Sequence, residues 1–68
     1  MITKIKNISP NKATVRLSAL RTDDQPGGEF VKHGTTVDLS VDHSPEDIAK
    51  IQVEIARCIS NGWLEEVQ

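Results

Sequence analysis

The segment between Ser44 and Gly62 carries both a start signal and a stop signal for an α-helix, and it constrains the fold more than any other feature. Ser44 is a favourable N-cap, and Pro45 suits the first helical position. Ser44 and Asp47 resemble a capping box, with Asp in place of the usual Glu or Gln, and Gly62 can adopt the left-handed conformation that ends a helix. We therefore predict one helix over about residues 45–60.

The apolar residues of this helix form two neighbouring groups on its surface. The larger group is the natural core face and contains Ile48, Ile51, Ile55, Cys58 and Ile59. The smaller group beside it contains Ala49, Val53 and Ala56. Two interpretations stay open: a broad core face with alanines at its edge, or a contact surface whose small residues let another subunit approach closely. On the second interpretation, these three residues are candidate partner-binding residues.

Alternating apolar residues before the helix predict half-buried strands. The predicted inward side chains are Ala13, Val15, Leu17 and Ala19 in residues 13–20, and Val37, Leu39 and Val41 in residues 35–41. Residues 1–8 are also predicted to form a strand, although their isoleucines are spaced by three and so break strict alternation. A bulge, or burial of both faces of the strand, would reconcile this spacing with a strand. A turn at residues 9–12 would then join residues 1–8 to residues 13–20 as a hairpin.

The most polar stretch, residues 21–28, ends in Pro-Gly-Gly and is predicted to be an exposed loop. A short strand at residues 29–32, a turn at His33 and Gly34, and a last short strand at residues 63–67 complete the chain. Strands first and a helix near the end predict an α+β fold. We expect four to five short strands in a small antiparallel sheet or partly open barrel, with the helix packed on it.

The size of the chain points to assembly with something else. A chain of 68 residues is enough for one domain, and its small core leaves a thin margin of stability. Small domains often gain support from disulfides, a metal or a partner. Cys58 is the only cysteine, so no disulfide can form within the chain. Cys58, His33 and His43 also lack the paired spacing of a zinc site, which leaves a partner as the expected support.

The charge balance argues against nucleic acid as the partner. The net charge is −2 and the pI is near 5.5, whereas nucleic-acid binders usually present a basic surface. The basic residues near the N-terminus are Lys4, Lys6, Lys12 and Arg16. We expect them to form a solvated sheet face, and a modest basic patch is the alternative. No apolar run is long enough to cross a bilayer, and the opening MITKIKNIS lacks the apolar stretch of a signal peptide. With its single unpaired thiol, the chain is expected to be made and folded in a cytoplasm.

No arrangement of residues predicts catalysis or cofactor binding. His43 follows Asp42, but adjacent residues of an extended chain point in opposite directions, so a solvated histidine is expected. Cys58 lies on the apolar helix face and is expected to be a buried structural thiol. No calcium-binding spacing is present among the loop aspartates, which are Asp23, Asp24, Asp38 and Asp42. We therefore predict a protein that is not an enzyme and has no metal or cofactor.

Trp63 follows the glycine that ends the helix. An apolar side chain at this position commonly packs back on the last helical turn. Tryptophan is also enriched at interface hot spots, so contact with a partner is the alternative. Trp63 therefore joins the candidate partner-binding residues.

Three segments define the layout of the chain: a short opening strand at Ile2 to Ile8, a glycine-centred turn into a strand at His33 to Leu39, and a Gly-aromatic turn at Asn61 to Glu65. This layout resembles that of small accessory proteins in tailed bacteriophages. The resemblance implies a structural protein of the virion, either a capsid decoration or cement protein or a head or tail fitting. Its partners would be the major capsid protein or further copies of itself, in an oligomer or on the lattice. No catalytic residues carry over.

Two other functions compete with this hypothesis. A small soluble inhibitor of one host protein would form an equimolar complex, and the acidic balance and the 21–28 loop suit it as well. A nucleic-acid-binding regulator is disfavoured by the charge and by the scarcity of aromatic side chains. The sequence leaves open whether the N-terminal strand pairs within the chain or with a neighbour.

Overall fold

The computed structural model describes residues 1–68 and confirms an α+β fold of five short strands and a helical segment. The elements are β1 (Lys4–Asn7), β2 (Val15–Leu17), β3 (Glu29–Val31), β4 (Thr36–Asp38), α1 (Pro45–Lys50), α2 (Gln52–Ser60) and β5 (Leu64–Glu66). The strands form a three-stranded sheet in the order β4-β1-β5 and a two-stranded β2-β3 sheet, and all pairs are antiparallel. Neither helix is long and apolar enough to cross a membrane.

The pairing of β1 shows that the predicted hairpin between residues 1–8 and 13–20 is wrong. β1 pairs with β4 and β5, whereas β2 pairs with β3. The cause is a tight loop after β1, in which Lys12 adopts a left-handed φ of 58° and its N–H donates to the Ser9 carbonyl at 3.2 Å. That loop sends the chain into the second sheet, so β1 finds both of its partners elsewhere in the same chain.

The basic residues near the N-terminus are separated as a result. Lys4 lies opposite Asp38, and Lys6 lies opposite Glu65 in the three-stranded sheet. Arg16 belongs to the other sheet. The lysines of β1 therefore lie on a charge-balanced sheet face, and the predicted alternative of one basic patch on a hairpin does not occur.

One hydrophobic core joins the two sheets and the helical segment. Its members are Ile5, Val15, Leu17, Leu20, Val31, Leu39, Ile48, Ile51, Ile55, Cys58 and Leu64. The predicted core face of the helix is confirmed, with Ile59 packed against this core. Val41 is 76% exposed because β4 ends at Asp38 and the chain then turns. Ala13 and Ala19 are exposed because β2 spans only three residues, so these three inward predictions are wrong.

Both predicted ends of the helical segment are confirmed. Ser44 Oγ accepts the N–H of Asp47 at 3.2 Å. At the other end Gly62 has a φ of 78°, and the N–H of Trp63 donates to the Cys58 carbonyl at 3.0 Å. This bonding is that of a Schellman motif, and it places Trp63 where the chain leaves α2 for β5.

The segment differs from a continuous helix at Ile51, which separates α1 from α2. The Gln52 side chain donates from Nε2 to the Ile48 carbonyl at 3.1 Å, the acceptor that a continuous helix would offer to the Gln52 backbone N–H. The same amide bonds both the N–H and the carbonyl of Ile2, each at 2.8 Å. The interruption therefore accompanies a clamp that ties the N-terminal residues to the helix.

His43 is buried, which corrects the expectation of a solvated histidine. Its Nε2 lies 3.2 Å from Glu29 Oε1, and the two side chains are 2% and 7% exposed. Burial follows from the turn after β4, because the His43 N–H donates to the Leu39 carbonyl at 3.0 Å and turns the residue inward. The pair joins the start of β3 to the start of α1.

The 21–28 segment contains no helix or strand. Asp23, Asp24 and Pro26 are exposed. Thr22 and Gln25 are partly buried and are joined by two backbone hydrogen bonds, at 3.2 and 3.1 Å. Gly28, at its end, is buried against β2. The segment is therefore exposed at its tip and packed at its exit.

Candidate functional site

An open groove of about 640 Å³ separates α2 from the chain that leads into β2. Its lining residues are Ser9, Asn11, Ala13, Thr14, Val15, Arg16, Lys50, Val53, Glu54, Arg57, Cys58 and Trp63. One wall is formed by residues 9–16 and the other by the helical segment. Trp63 stands at the end of the helical wall, where the Schellman motif places it.

The strand wall of the groove is held in place by Asn7. Its Nδ2 donates to the carbonyls of Ala13 at 2.8 Å and Val31 at 2.7 Å, and its Oδ1 accepts the N–H of Ser9 at 2.9 Å. Ser9 Oγ adds a second bond to the Ala13 carbonyl at 2.9 Å. Asn7 belongs to the three-stranded sheet and Val31 to the other, so one buried amide connects both sheets to the groove wall.

Arg16 is oriented on β2 by two contacts. Its Nε donates to the Gly27 carbonyl, and its guanidinium carbon lies 5.7 Å from the centre of the Phe30 ring, a cation–π distance. Phe30 is the cross-strand partner of Arg16 and is half exposed. No carboxylate lies within ion-pair distance of the guanidinium, so its charge is not neutralised by a neighbour.

Two of the four candidate partner-binding residues meet in this groove. Val53 is 71% exposed and Trp63 is 44% exposed, and both line the groove. Ala49 and Ala56 are exposed on the helical surface but do not line it. Val53 therefore lies outside the core, and the role of these residues in binding a partner stays a prediction.

The charges of the groove differ from those of the chain as a whole. The groove contains the basic residues Arg16, Lys50 and Arg57 and the acidic residue Glu54. The whole chain has a net charge of −2. The groove is therefore a locally basic surface on an acidic protein, and it favours the approach of negatively charged groups.

Cys58 is a free thiol that is 8% exposed, which confirms the expected burial. Burial raises the pKa of the Cys58 thiol above its ordinary value, and the Glu54 carboxylate raises it further, while Arg57 opposes both. Since the thiolate is the reactive form, the raised pKa lowers the reactivity of this cysteine at neutral pH.

We expect iodoacetamide to alkylate Cys58 at least about tenfold more slowly in the folded chain than in the urea-unfolded chain near pH 8. The reason is that the thiolate is both scarce and shielded. A time course by mass spectrometry measures the two rates. Glu54→Gln removes a charge that raises the pKa, so it should speed alkylation of the folded chain. Equal rates in the folded and unfolded chains would contradict the raised pKa.

No other feature matches the groove as a candidate site. No three His, Cys, Asp or Glu side chains are grouped as metal ligands. A smaller polar pocket of about 240 Å³ is lined by Thr22, Asp24, Gln25 and Asp42, and Gln25 Oε1 has no hydrogen-bond partner within the chain.

No protein-family model, curated protein or solved structure matches the chain.

Proposed function

We propose that the chain is a protein-binding domain of a virus particle, attached through the groove and the adjoining helical surface. The observation that carries this proposal is the exposure of two large apolar side chains, Val53 and Trp63, on one groove. Apolar side chains within a polar rim are typical of protein interfaces, and tryptophan is enriched among the residues that dominate binding energy.

The virion setting is supported by the resemblance to accessory proteins of tailed bacteriophages. The physical chemistry of the fold favours attachment to a larger assembly, because a domain of 68 residues without a disulfide has a thin margin of stability. Binding to a lattice stabilises the folded state by mass action. The proposed partner is accordingly the major capsid protein or further copies of the chain.

Density-gradient sedimentation of the source lysate, with mass spectrometry across the fractions, tests the setting. The proposal predicts that the chain travels with large particles, at many copies per particle. Recovery only at the top of the gradient would refute the virion proposal. A soluble partner, such as one host protein in an equimolar complex, would then be sought by affinity purification.

The substitution Val53→Asp tests the surface. We expect it to abolish association with particles, because it places a charge in the apolar part of the groove. The free energy of unfolding should change by only about 0.5 kcal/mol, since the side chain is 71% exposed. Co-sedimentation measures the association, and urea denaturation measures the stability.

Val41→Asp is the matched control for this test. Val41 is 76% exposed and does not line the groove, so the same change of side chain should leave both stability and association unaltered. If the Val53 variant associates as well as the Val41 variant, the groove is not the attachment surface.

A further inference from the structure

We propose that the groove binds an extended acidic segment of a partner protein, which adds a strand to the free edge of β2. The inference rests on the proposed protein-binding function and specifies the chemistry of the partner. It combines three properties of the groove: an unpaired strand edge, an excess of positive charge, and an apolar contact on the helical wall.

The unpaired edge of β2 faces the groove. β2 pairs only with β3. Thr14, Val15 and Arg16 line the groove, whereas no residue of β3 does, so the groove lies on the side of β2 that β3 leaves free. The backbone N–H and carbonyl groups of such an edge are available to pair with an extended chain.

The charge of the groove selects an acidic segment. Its basic residues outnumber its acidic residue by three to one, in a chain that is acidic overall. The free edges of the three-stranded sheet differ, because β5 contains two glutamates and β4 contains an aspartate. β3 also has a free edge, but it contains Glu29 and does not line the groove, so only at the edge of β2 does an unpaired strand line this basic groove. An acidic segment is therefore attracted more strongly to the edge of β2 than to the other free edges.

The apolar contact favours a peptide over a small molecule. Five of the twelve lining residues are hydrophobic, whereas small-molecule pockets are lined mainly by apolar side chains. Alternate side chains of an added strand point to opposite faces. Only the side chains on one face of the added strand therefore meet the helical wall, where Lys50 and Arg57 offer charged contacts beside the apolar side chains of Val53 and Trp63.

Peptide titrations followed by the fluorescence of Trp63, the only tryptophan, test this proposal. The probe is a peptide of about seven residues with blocked ends that alternates glutamate and valine. One control has lysine in place of each glutamate, and another has N-methyl groups on alternate amides. We expect the glutamate peptide to bind at least about tenfold more tightly than either control, and less tightly at high salt.

Charge reversal within the chain gives a second readout. Lys50→Glu should weaken binding of the glutamate peptide by about fivefold or more. Lys32→Glu makes the same change at an exposed residue outside the groove and should leave the affinity unchanged. Amide hydrogen exchange, measured by NMR over residues 14–16, should slow when the peptide binds, because edge N–H groups gain acceptors.

Several outcomes would overturn the proposal. Absence of binding by the glutamate peptide is one, and equal binding by the lysine peptide is another. If the chain self-associates and Glu65→Lys abolishes that association, the acidic strand β5 of a second copy occupies the groove. This result would also overturn the proposal.

The two proposals can fail separately. If the peptide does not bind but Val53→Asp still abolishes association with particles, the proposed function stands without the acidic segment. If the peptide binds to a chain that never travels with particles, the groove proposal stands and the virion setting is refuted.

Discussion

Asn7→Ala is expected to lower the free energy of unfolding by about 3 kcal/mol, since its side chain makes two buried hydrogen bonds and one partly buried bond, which contribute roughly 1 kcal/mol each. The Asn7 side chain is buried and bonds Ser9, Ala13 and Val31. Truncation leaves the Ser9 N–H without its acceptor and the two carbonyls with one bond fewer. A domain of this size has a total stability of roughly 3–10 kcal/mol, so the loss is a large share of the whole.

Urea denaturation of the variant measures this loss, and Asn11→Ala is the matched control. Asn11 is exposed, and its Oδ1 accepts only the Ala13 N–H at 3.3 Å, so its removal should cost at most about 1 kcal/mol. Similar costs for the two alanine variants would contradict the role of Asn7 as the connection between the sheets.

Asn7→Asp gives an independent test that depends on pH. An ionised carboxylate at this position would face the carbonyl oxygens of Ala13 and Val31, which the amide now contacts as a donor. Burial and this repulsion raise the pKa of the introduced acid in the folded state. The variant should therefore become more stable, relative to the unmodified chain, as the pH falls through that raised pKa. A pH-independent difference between the two chains would argue against donation from Asn7 Nδ2.

The helical half of the chain could be predicted because its signals are local. Ser44 and Gly62 act on the backbone within one turn of themselves, and the helical period identifies the core face without knowledge of the partner strands. The same helical period places Val53 outside the core face, so the exposed side of the helix that forms the groove wall could also be predicted. The clamp by Gln52 was missed because its partner, Ile2, is fifty residues away.

Strand pairing could not be predicted, because alternation shows that a strand has a buried face but not which strand lies beside it. The partners of β1 lie about thirty and sixty residues further along the chain. The loop that directs this pairing depends on a left-handed lysine, Lys12, a residue type that does not signal such a turn. The strand wall of the groove was therefore beyond sequence analysis as well.

The sequence nevertheless contains one signal of the strand wall of the groove. Asn7 lies two residues after Ile5, so both side chains point to the same face of the strand. A polar residue on the buried face of a strand requires hydrogen-bond partners inside the protein. Such a residue marks a place where backbone carbonyls of another segment come close, and here that segment is the groove wall.

Gly28→Ala is expected to lower the free energy of unfolding by about 3 kcal/mol or more, of which the left-handed backbone accounts for roughly 1–2 kcal/mol. Gly28 has a φ of 98°. A Cβ there would lie 2.5 Å from the Leu17 carbonyl oxygen and 2.7 Å from the Ser18 Cα. Both are backbone atoms, so no side chain can rotate away, and β3 would have to move from β2.

Gly34→Ala separates the backbone contribution from the clash. Gly34 has a φ of 80°, but a Cβ there would meet no atom within 4 Å, so the control should lose only about 1 kcal/mol. Urea denaturation of both variants measures the difference, and equal costs would mean that β2 and β3 separate without penalty. Since β2 is also the strand wall of the groove, Gly28→Ala should weaken binding of the glutamate peptide under conditions where both variants are folded, whereas Gly34→Ala should not.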